Sequence, residues 1–278
     1  MKTVTLHGQT LPAVGMGSWR LGQGRHPALQ EQKALQFGLS QGLKVIDTAE
    51  MYGDGDSEQL IGEALKGHRD DCYLVSKVYP WNAAPKKMIA ACEQSLKRLQ
   101  TDCLDLYLLH WQSEHPLEEI IAGFDMLKQQ GKIKEWGVSN FDTAAMDELW
   151  NTPGGDQCRA NQVFYNPQYR GIEYSLLPWC RDHGVTAMGY SPLGGHGSDL
   201  LHDPLITELA DKNQISAAAV LLRWAIRDGN MLVIPESGSA DHIRGNIEAL
   251  ENSLSKEDLA AIDQRFPAPR REVPLEIR

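Results

Sequence analysis

The chain has 278 residues, enough to bury a large core in one barrel-sized domain or in two smaller ones. Its formal net charge of -10 argues against a general binder of nucleic acid or of anionic membranes, although a local basic patch could still hold a phosphate. The five cysteines are scattered and form no C-x-x-C pair, which favours reduced core residues over a metal or redox site. The sequence has neither an apolar N-terminal segment nor a run of about 18 uncharged apolar residues. We therefore expect a cytoplasmic protein that is neither secreted nor embedded in a membrane.

Strand-like runs alternate with helix-like segments along most of the chain. The predicted strands are 13–18, 44–49, 72–78, 104–110, 134–139, 160–165, 186–191 and 231–236. Alternation of this kind is typical of a parallel sheet wrapped by helices. The segment KTVTLHGQTLPAV, which precedes most of the first strand, predicts a β-hairpin that closes one end of such a sheet.

The helix-like segments carry recognisable starts and ends. Segments 85–99 and 116–131 begin with Pro, several others end at Gly, and the last part of the chain has more helices than strands. No linker or change of composition divides the sequence. A single (β/α)8 TIM barrel domain over 1–278, with extra C-terminal helices, is the economical prediction. A doubly wound sheet is the alternative, but its usual G-x-G-x-x-G motif is matched by neither GMGSWR nor GHGSDL.

Polar side chains stand at the carboxyl ends of six predicted strands. They are Asp47, Lys77, His110, Ser139 with Asn140, Tyr190 with Ser191, and Glu236. In a barrel these strand ends meet at one rim, where the loops that follow the strands build the active site. Taken singly, each residue has an ordinary explanation, such as a turn aspartate, a packed histidine or a lysine whose stem reaches water. Their convergence at one rim is what favours a functional site.

Lys77 is the unusual residue of the apolar strand YLVSKV. Burying an ammonium group costs several kcal/mol unless a partner compensates its charge. Asp47 on a neighbouring strand would supply a partner, worth ~4 kcal/mol at a separation of about 4 Å and an effective dielectric near 20. The cation would favour the phenolate of Tyr52, in the loop after Asp47. We therefore predict a lowered Tyr52 pKa and a proton donor that works near neutral pH.

The sequence lacks the markers of several other enzyme classes. It contains no G-x-S-x-G, no Walker loop and no H-E-x-x-H. The acidic run DGDSE at 54–58 does not have the glycine and the terminal glutamate of a calcium loop at the right spacing, which favours a solvated loop that leads into a helix. A metal-dependent barrel hydrolase would need several His and Asp ligands at the strand ends, whereas this rim has one His and a Lys. We expect no metal site.

Six blocks of the sequence resemble the aldo-keto reductase family, and they span most of the chain in the family's order. They are VIDTAEMYGDGDSEQLIGEAL (45–65), LVSKV (74–78), LDLYLLHW (104–111), GKIKEWGVSN (131–140), NQVFYNP (161–167) and YSPLG (190–194). The resemblance implies a (β/α)8 barrel that binds NADPH, or less often NADH, without a Rossmann motif. It also implies the reduction of aldehydes and ketones.

The catalytic tetrad of that family falls on Asp47, Tyr52, Lys77 and His110. The implied mechanism is hydride transfer from the nicotinamide to the carbonyl carbon, while Tyr52 donates a proton to the carbonyl oxygen. Lys77, held by Asp47, would tune Tyr52, and His110 would orient the carbonyl group.

The resemblance also predicts where the nicotinamide and the pyrophosphate bind. The implied residues are Ser139, Asn140, Gln162, Tyr190, Ser191 and Leu193. The first three would hydrogen-bond the carboxamide, Tyr190 would stack on the nicotinamide ring, and the last two would meet the pyrophosphate.

One block departs from the family. Many members have I-P-K-S, then an Arg six residues after the Lys and a Glu and an Asn a little later, where this chain reads IPESGSADHIRGNIEAL. The residues that we expect near the adenosine 2'-phosphate are Glu236, Ser237, His242, Arg244 and Asn246. Glu236 and His242 replace two cations, so we expect a weaker preference for NADPH, and NADH is possible. Arg244 is the residue that could restore phosphate binding, so the choice of cofactor stays open.

Trp19, Trp81 and Trp111 are predicted to wall a substrate pocket for a small carbonyl compound, although a Trp in such a loop is as often a packing residue, Trp81 above all. The segment after His110 and the C-terminal tail are short, which favours a shallow, open pocket. The match looks closest to bacterial members that reduce methylglyoxal and similar small dicarbonyls or aldehydes in detoxification. The alternative is a cofactor-binding sensor or regulatory subunit built on the same barrel. We expect a monomer or a weak oligomer.

Overall fold

Eight parallel strands form the central sheet of the computed structural model, which describes residues 1–195 and 197–278. They are β3 (Met16–Gly17), β4 (Val45–Asp47), β5 (Tyr73–Val78), β6 (Leu104–Leu109), β7 (Ile133–Ser139), β8 (Ala160–Phe164), β9 (Thr186–Tyr190) and β10 (Met231–Val233). Each strand pairs with its neighbour in chain order. Every residue of β5 and β6 is buried, as expected for parallel strands covered on both faces.

The first and last strands of the sheet meet and close it into a ring. Val14 and Gly17 bridge in parallel to Val233 and Glu236, and the Gly15 N–H donates to the Val233 carbonyl oxygen at 2.8 Å. A side chain at position 17 would place its Cβ 2.6 Å from a backbone carbonyl oxygen, so glycine is required at this seam. The predicted (β/α)8 barrel is confirmed.

Helices surround the barrel in the predicted alternation. They are α1 (Ala28–Ser40), α2 (Asp56–Ala64), α3 (Pro85–Leu99), α4 (Leu117–Gln129), α5 (Thr143–Asn151), α6 (Leu176–Asp182), α7 (Pro204–Asn213), α8 (Ala217–Ala225), α9 (Ala240–Glu248) and α10 (Lys256–Arg265). Side-chain oxygens of Asp142, Asp203, Ser216 and Ser255 accept from backbone N–H groups in the first turns of α5, α7, α8 and α10. The last part of the chain has more than one helix per strand, as the sequence predicts, with two helices before β10 and two after it.

An antiparallel hairpin of β1 (Thr3–Leu6) and β2 (Gln9–Pro12) covers the amino ends of the barrel strands. Val4, Leu6 and Leu11 pack with barrel residues in a small apolar cluster, and the Thr186 hydroxyl at the start of β9 donates to the Thr5 carbonyl oxygen at 3.1 Å. The predicted hairpin cap is confirmed. The larger apolar cluster lies between the strands and the surrounding helices.

None of the helices in the described ranges is long and apolar enough to span a bilayer. Within residues 1–195 and 197–278, no group of three or more His, Cys, Asp or Glu side chains is arranged to hold a metal ion. Four of the five cysteines are buried, and all five are free thiols.

Candidate active site

Lys77, next to last in β5, is completely buried, and its ammonium group is fully hydrogen-bonded. Its Nζ donates to Asp47 Oδ2 at 2.7 Å, to the Thr48 carbonyl oxygen at 2.7 Å and to the Tyr52 hydroxyl at 3.0 Å. Burial lowers the pKa of Lys77, but Asp47 and Tyr52 outweigh burial, and the pKa is raised overall. The strand therefore holds a charged lysine, with the partner that the sequence requires.

Asp47 is fixed from two sides of the barrel. While Oδ2 accepts from Lys77, Oδ1 accepts from Gln162 Nε2 on β8 at 2.7 Å. Burial raises the pKa of Asp47 overall, although Lys77 and Gln162 act to lower it. An ionised carboxylate only accepts hydrogen bonds, and each Asp47 oxygen accepts one from a buried donor. The ion pair is thereby locked in one geometry.

Tyr52 opens the turn Tyr52–Gly55 after β4, and its ring lies between Trp19 and His110 at centroid distances of 5.5 and 6.0 Å. Burial raises the pKa of Tyr52, Lys77 acts to lower it, and the net direction is upward. The prediction of a lowered pKa is wrong because it counted the nearby cation and left out the loss of hydration. Tyr52 is a neutral phenol at physiological pH and keeps its proton.

His110 follows β6 and is an uncharged imidazole. Burial first, and then the charge of Lys77, lower its pKa to about 2. The ring stacks on Trp111 at 4.0 Å between centroids. Its Nδ1 is buried and has no hydrogen-bond partner among the described residues. A neutral imidazole carries one N–H, which can donate to a carbonyl oxygen without adding a charge to the site.

A second polar layer lies beside the tetrad at the ends of β7 and β9. The Asn140 side-chain NH₂ donates to the His110 carbonyl oxygen at 3.2 Å, and the Tyr190 hydroxyl donates to Asn140 Oδ1 at 3.0 Å. The Ser139 hydroxyl donates to the Gln162 carbonyl oxygen at 2.8 Å. Asn140 has a φ of 61°, a left-handed conformation that Asn tolerates better than most residues. The structure therefore brings the residues predicted at the nicotinamide together.

One cleft of about 490 Å³ runs from the tetrad to the end of β10. The predicted site residues that line it are Trp19, Asp47, Tyr52, His110, Trp111, Ser139, Asn140, Gln162, Tyr190, Ser191, Leu193 and Glu236. Lys77 lies beneath the cleft, behind Tyr52 and Asp47. Most residues predicted from separate strands thus share one cavity.

Trp81 does not line this cleft. It lies in the turn Pro80–Asn82 after β5, is 59% exposed, and stacks on Tyr79 at 4.2 Å between ring centroids. Its predicted contact with substrate stays a prediction that this geometry does not favour.

The remaining residues predicted at the adenosine end lie outside the lining of the cleft. Ser237 is buried and accepts from the Ser239 N–H, Asn246 is buried in α9, and His242 is exposed. The Arg244 guanidinium lies 5.0 Å from the centroid of the Phe37 ring on α1. Arg244 is therefore directed toward a neighbouring helix.

Sequence reasoning missed three arginines that line the cleft. Arg20 and Arg25 come from the loop between β3 and α1, and Arg25 Nη1 lies 3.3 Å from Glu236 Oε2. Arg278 donates its backbone N–H to the Tyr190 hydroxyl at 3.1 Å and a guanidinium N–H to the Tyr169 hydroxyl at 3.2 Å. For Arg20 and Arg25 the available signal was the cationic segment SWRLGQGRHP after the first barrel strand, at the rim where the other polar residues gather.

The model of the Aldo/keto reductase family matches residues 13–265. The chain belongs to the aldo/keto reductase family. Among its relatives in this family, the methylglyoxal reductase YeaE of Escherichia coli (strain K12) is 48% identical over 271 residues, which cover 96% of this chain and 95% of that protein. The glyoxal reductase of Bacillus subtilis (strain 168) is 31% identical over 265 residues, which cover 94% and 91%.

Solved aldo/keto reductase structures match the whole fold. Two crystal structures of an aldo/keto reductase from Klebsiella pneumoniae, one in complex with NADP and acetate and one with NADPH, match with a TM-score of 0.97 at 45% identity. The match covers 100% of this chain and 99% of those chains. The family predicted from the sequence is confirmed, and with it the predicted class of enzyme.

Proposed function

We propose that this protein is an NADPH-dependent reductase that converts small aldehydes and dicarbonyls such as methylglyoxal to alcohols. The observation that carries the proposal is the buried Lys77 ammonium, which joins Asp47 to a protonated Tyr52 at the floor of the cleft. Relatives named methylglyoxal and glyoxal reductase, and related structures in complex with NADP or NADPH, support the substrate class and the cofactor.

The cleft has the chemistry that a nicotinamide dinucleotide needs. At one end are two amides, a hydroxyl and an aromatic ring, supplied by Asn140, Gln162, Ser139 and Tyr190. Ser191 and Leu193 also line the cleft, as do two arginines near Glu236, although the chain as a whole is acidic. The first group would hold the carboxamide and the ring, and the residues farther along would hold the phosphates. When bound there, the cofactor supplies the hydride that reduces the carbonyl carbon.

Tyr52 is the proton donor in this proposal. Its raised pKa means that the phenol is protonated before the reaction, and it lines the cleft where a carbonyl oxygen can reach it. The hydrogen bond from Lys77 stabilises the phenolate that remains after the proton has moved, and Asp47 keeps Lys77 in place. General acid catalysis of this kind contributes about 10²- to 10⁴-fold.

His110 and the tryptophans position the substrate. A neutral His110 donates its N–H to the carbonyl oxygen beside Tyr52, because an imidazolium would be too costly in this buried place. Trp19 and Trp111 give the cleft apolar walls around the reacting group. Walls this close to Tyr52 favour compact carbonyl compounds.

The substitution Tyr52→Phe tests the proposal, since it removes one hydroxyl and keeps the ring. We expect kcat for methylglyoxal with NADPH to fall about 10²- to 10⁴-fold, with the Kd for NADPH changed by less than about threefold. Turnover is measured from NADPH absorbance and Kd from the quenching of protein fluorescence. Wild-type turnover in Tyr52→Phe would disprove the role of proton donor. Tight NADPH binding by the wild type without turnover over a panel of aldehydes would overturn the proposed function.

A further inference from the structure

One side of the cleft, at the barrel seam, combines two arginines with a carboxylate. Arg20 and Arg25, from the loop that follows β3, face Glu236, which follows β10, and all three line the cleft. Arg25 Nη1 lies 3.3 Å from Glu236 Oε2. Glu236 occupies the position where the family pattern has a lysine, so the carboxylate meets cations that come from the opposite side of the barrel seam.

The loop that carries these arginines is anchored at two points. The Ser57 hydroxyl donates to the Ser18 carbonyl oxygen at 3.0 Å, and the Gly22 N–H donates to Glu31 Oε2 at 2.8 Å. Gly22 has a φ of 77°, and a Cβ there would lie 2.6 Å from the Asp56 carbonyl oxygen. A loop tied to α1 and α2 in this way holds its side chains at a defined rim of the cleft.

The same loop packs against the segment after β10. A Cβ built on Gly238 would lie 3.0 Å from the His26 ring and 3.1 Å from the Glu31 side chain. Residues 236–238 and 25–26 therefore form one continuous rim, which includes Ser237, the serine that the family pattern keeps next to its lysine. A group bound beside Ser237 lies within reach of the Arg25 side chain.

The arginines at this rim supply hydrogen-bond donors for an anion. Burial raises the pKa of Glu236, while Arg25 and Arg20 act against that rise. Arg25 and Arg20 both act on Glu236 from the cleft, while Glu31 adds a second negative charge behind the rim. Arg25 uses one N–H toward Glu236, and the rest of its planar fork remains to bind a phosphate, for which guanidinium geometry is well suited.

We propose that Arg25 recognises the 2'-phosphate of NADPH, in place of the two cations that the family pattern has after β10. This inference rests on the proposed function. The ion pair with Glu236 holds Arg25 over the position where the missing lysine would act. The carboxylate therefore does not reverse the preference toward NADH, because a neighbouring loop supplies the positive charge.

Calorimetric titration of the full chain with NADP⁺ and NAD⁺ tests the inference without relying on turnover. For Arg25→Ala we expect the Kd for NADP⁺ to rise about 10- to 100-fold and the Kd for NAD⁺ by less than about threefold, since the lost bond joins two charged groups. Arg265→Ala is the matched control, because Arg265 is similarly exposed and pairs with Asp203 outside the cleft. That control should change neither Kd, and a thermal melt of each variant checks folding.

The outcomes separate the two proposals. An equal loss of both cofactors in Arg25→Ala would place Arg25 at the shared pyrophosphate and overturn the inference, as would an unchanged ratio or a loss confined to Arg244→Ala. Restoration of NADP⁺ affinity in the double variant Arg25→Ala, Glu236→Lys would support it, because the new lysine restores the cation at the same rim. Failure of the proposed function shows differently, as an absence of carbonyl reduction in the wild type even where the cofactor binds.

Discussion

Asp47 and Asp105 are both buried strand aspartates that pair with cations, but they lie at opposite ends of the barrel. At the amino end, Asp105 accepts from Arg69 at 2.8 Å, from Lys134 at 2.7 Å and from the Leu74 N–H at 2.8 Å. Its lysine partner, Lys134, is more than half exposed, so this group of charges is partly solvated.

Asp47 differs from Asp105 in what its lysine partner contacts. Its lysine has no exposure, and the third N–H of that lysine goes to the hydroxyl of Tyr52, which faces the cleft. A carboxylate–cation pair of this kind supports only the structure at Asp105, where the other contacts are backbone groups and solvent. In the proposed mechanism it supports chemistry where one of the lysine's N–H groups donates to a hydroxyl that can give up a proton.

The largest effect should come from breaking the pair at the carboxyl end with Lys77→Met. We expect kcat to fall about 10³-fold, because Tyr52 loses the cation that stabilises its phenolate. Stability should fall by about 3–5 kcal/mol, since Asp47 is left buried without its countercharge. Turnover and urea unfolding measure the two effects. Near-normal kcat in a folded Lys77→Met would show that the Asp47 pair, like the Asp105 pair, only supports the structure.

The pH profile of reduction should show an effect of intermediate size. Burial raises the pKa of Tyr52 above its ordinary value of 10.0 in spite of Lys77. Because the donor must be protonated, kcat should stay flat through neutral pH and fall as pH rises through the Tyr52 pKa, about tenfold per unit. His110, with a pKa of about 2, contributes no step near neutrality. A plot of kcat at saturating NADPH from about pH 6 to about pH 11 checks this, and a step near 6.5 would contradict the neutral imidazole.

The smallest effect should come from Lys134→Met at the amino end. Lys134 is more than half exposed, and Asp105 keeps Arg69 and the Leu74 N–H as donors. We expect a loss of stability of at most about 1 kcal/mol and a change in kcat of less than about twofold. The same turnover and urea measurements serve here. A loss of kcat comparable to that of Lys77→Met would show that charges at both ends act on the reaction.

The fold and the position of the tetrad could be predicted because both depend on local pattern. Alternating strands and helices indicate a barrel, and a barrel brings the carboxyl ends of all its strands to one rim. Asp47, Lys77 and His110 occupy strand ends that are recognisable without any knowledge of packing. The topology of the barrel then places these three side chains near one another.

The parts that sequence reasoning missed depend on three-dimensional surroundings. The raised pKa of Tyr52 comes from burial among side chains that are remote in sequence. Trp81, whose contact with substrate stays a prediction, is exposed and stacks on Tyr79, a placement that packing decides. The sequence after β10 suggests Arg244 as the cation, whereas the cation beside Glu236 in the structure is Arg25. Arg25 lies on a loop that is anchored to Glu31 on the other side of the seam.

The seam between the first and last barrel strands also bears on how the protein resists unfolding. The cleft is lined from both sides of it, by Gly17 and Arg25 on one side and by Ile234 and Glu236 on the other. A ligand that contacts both sides links the first and last barrel strands and so opposes their separation at this seam. By mass action, a ligand that binds only the folded chain contributes about 2.7 kcal/mol at a concentration 100 times its Kd. The concentration of dinucleotide would then contribute to the stability of the closed barrel as well as to the rate of its chemistry.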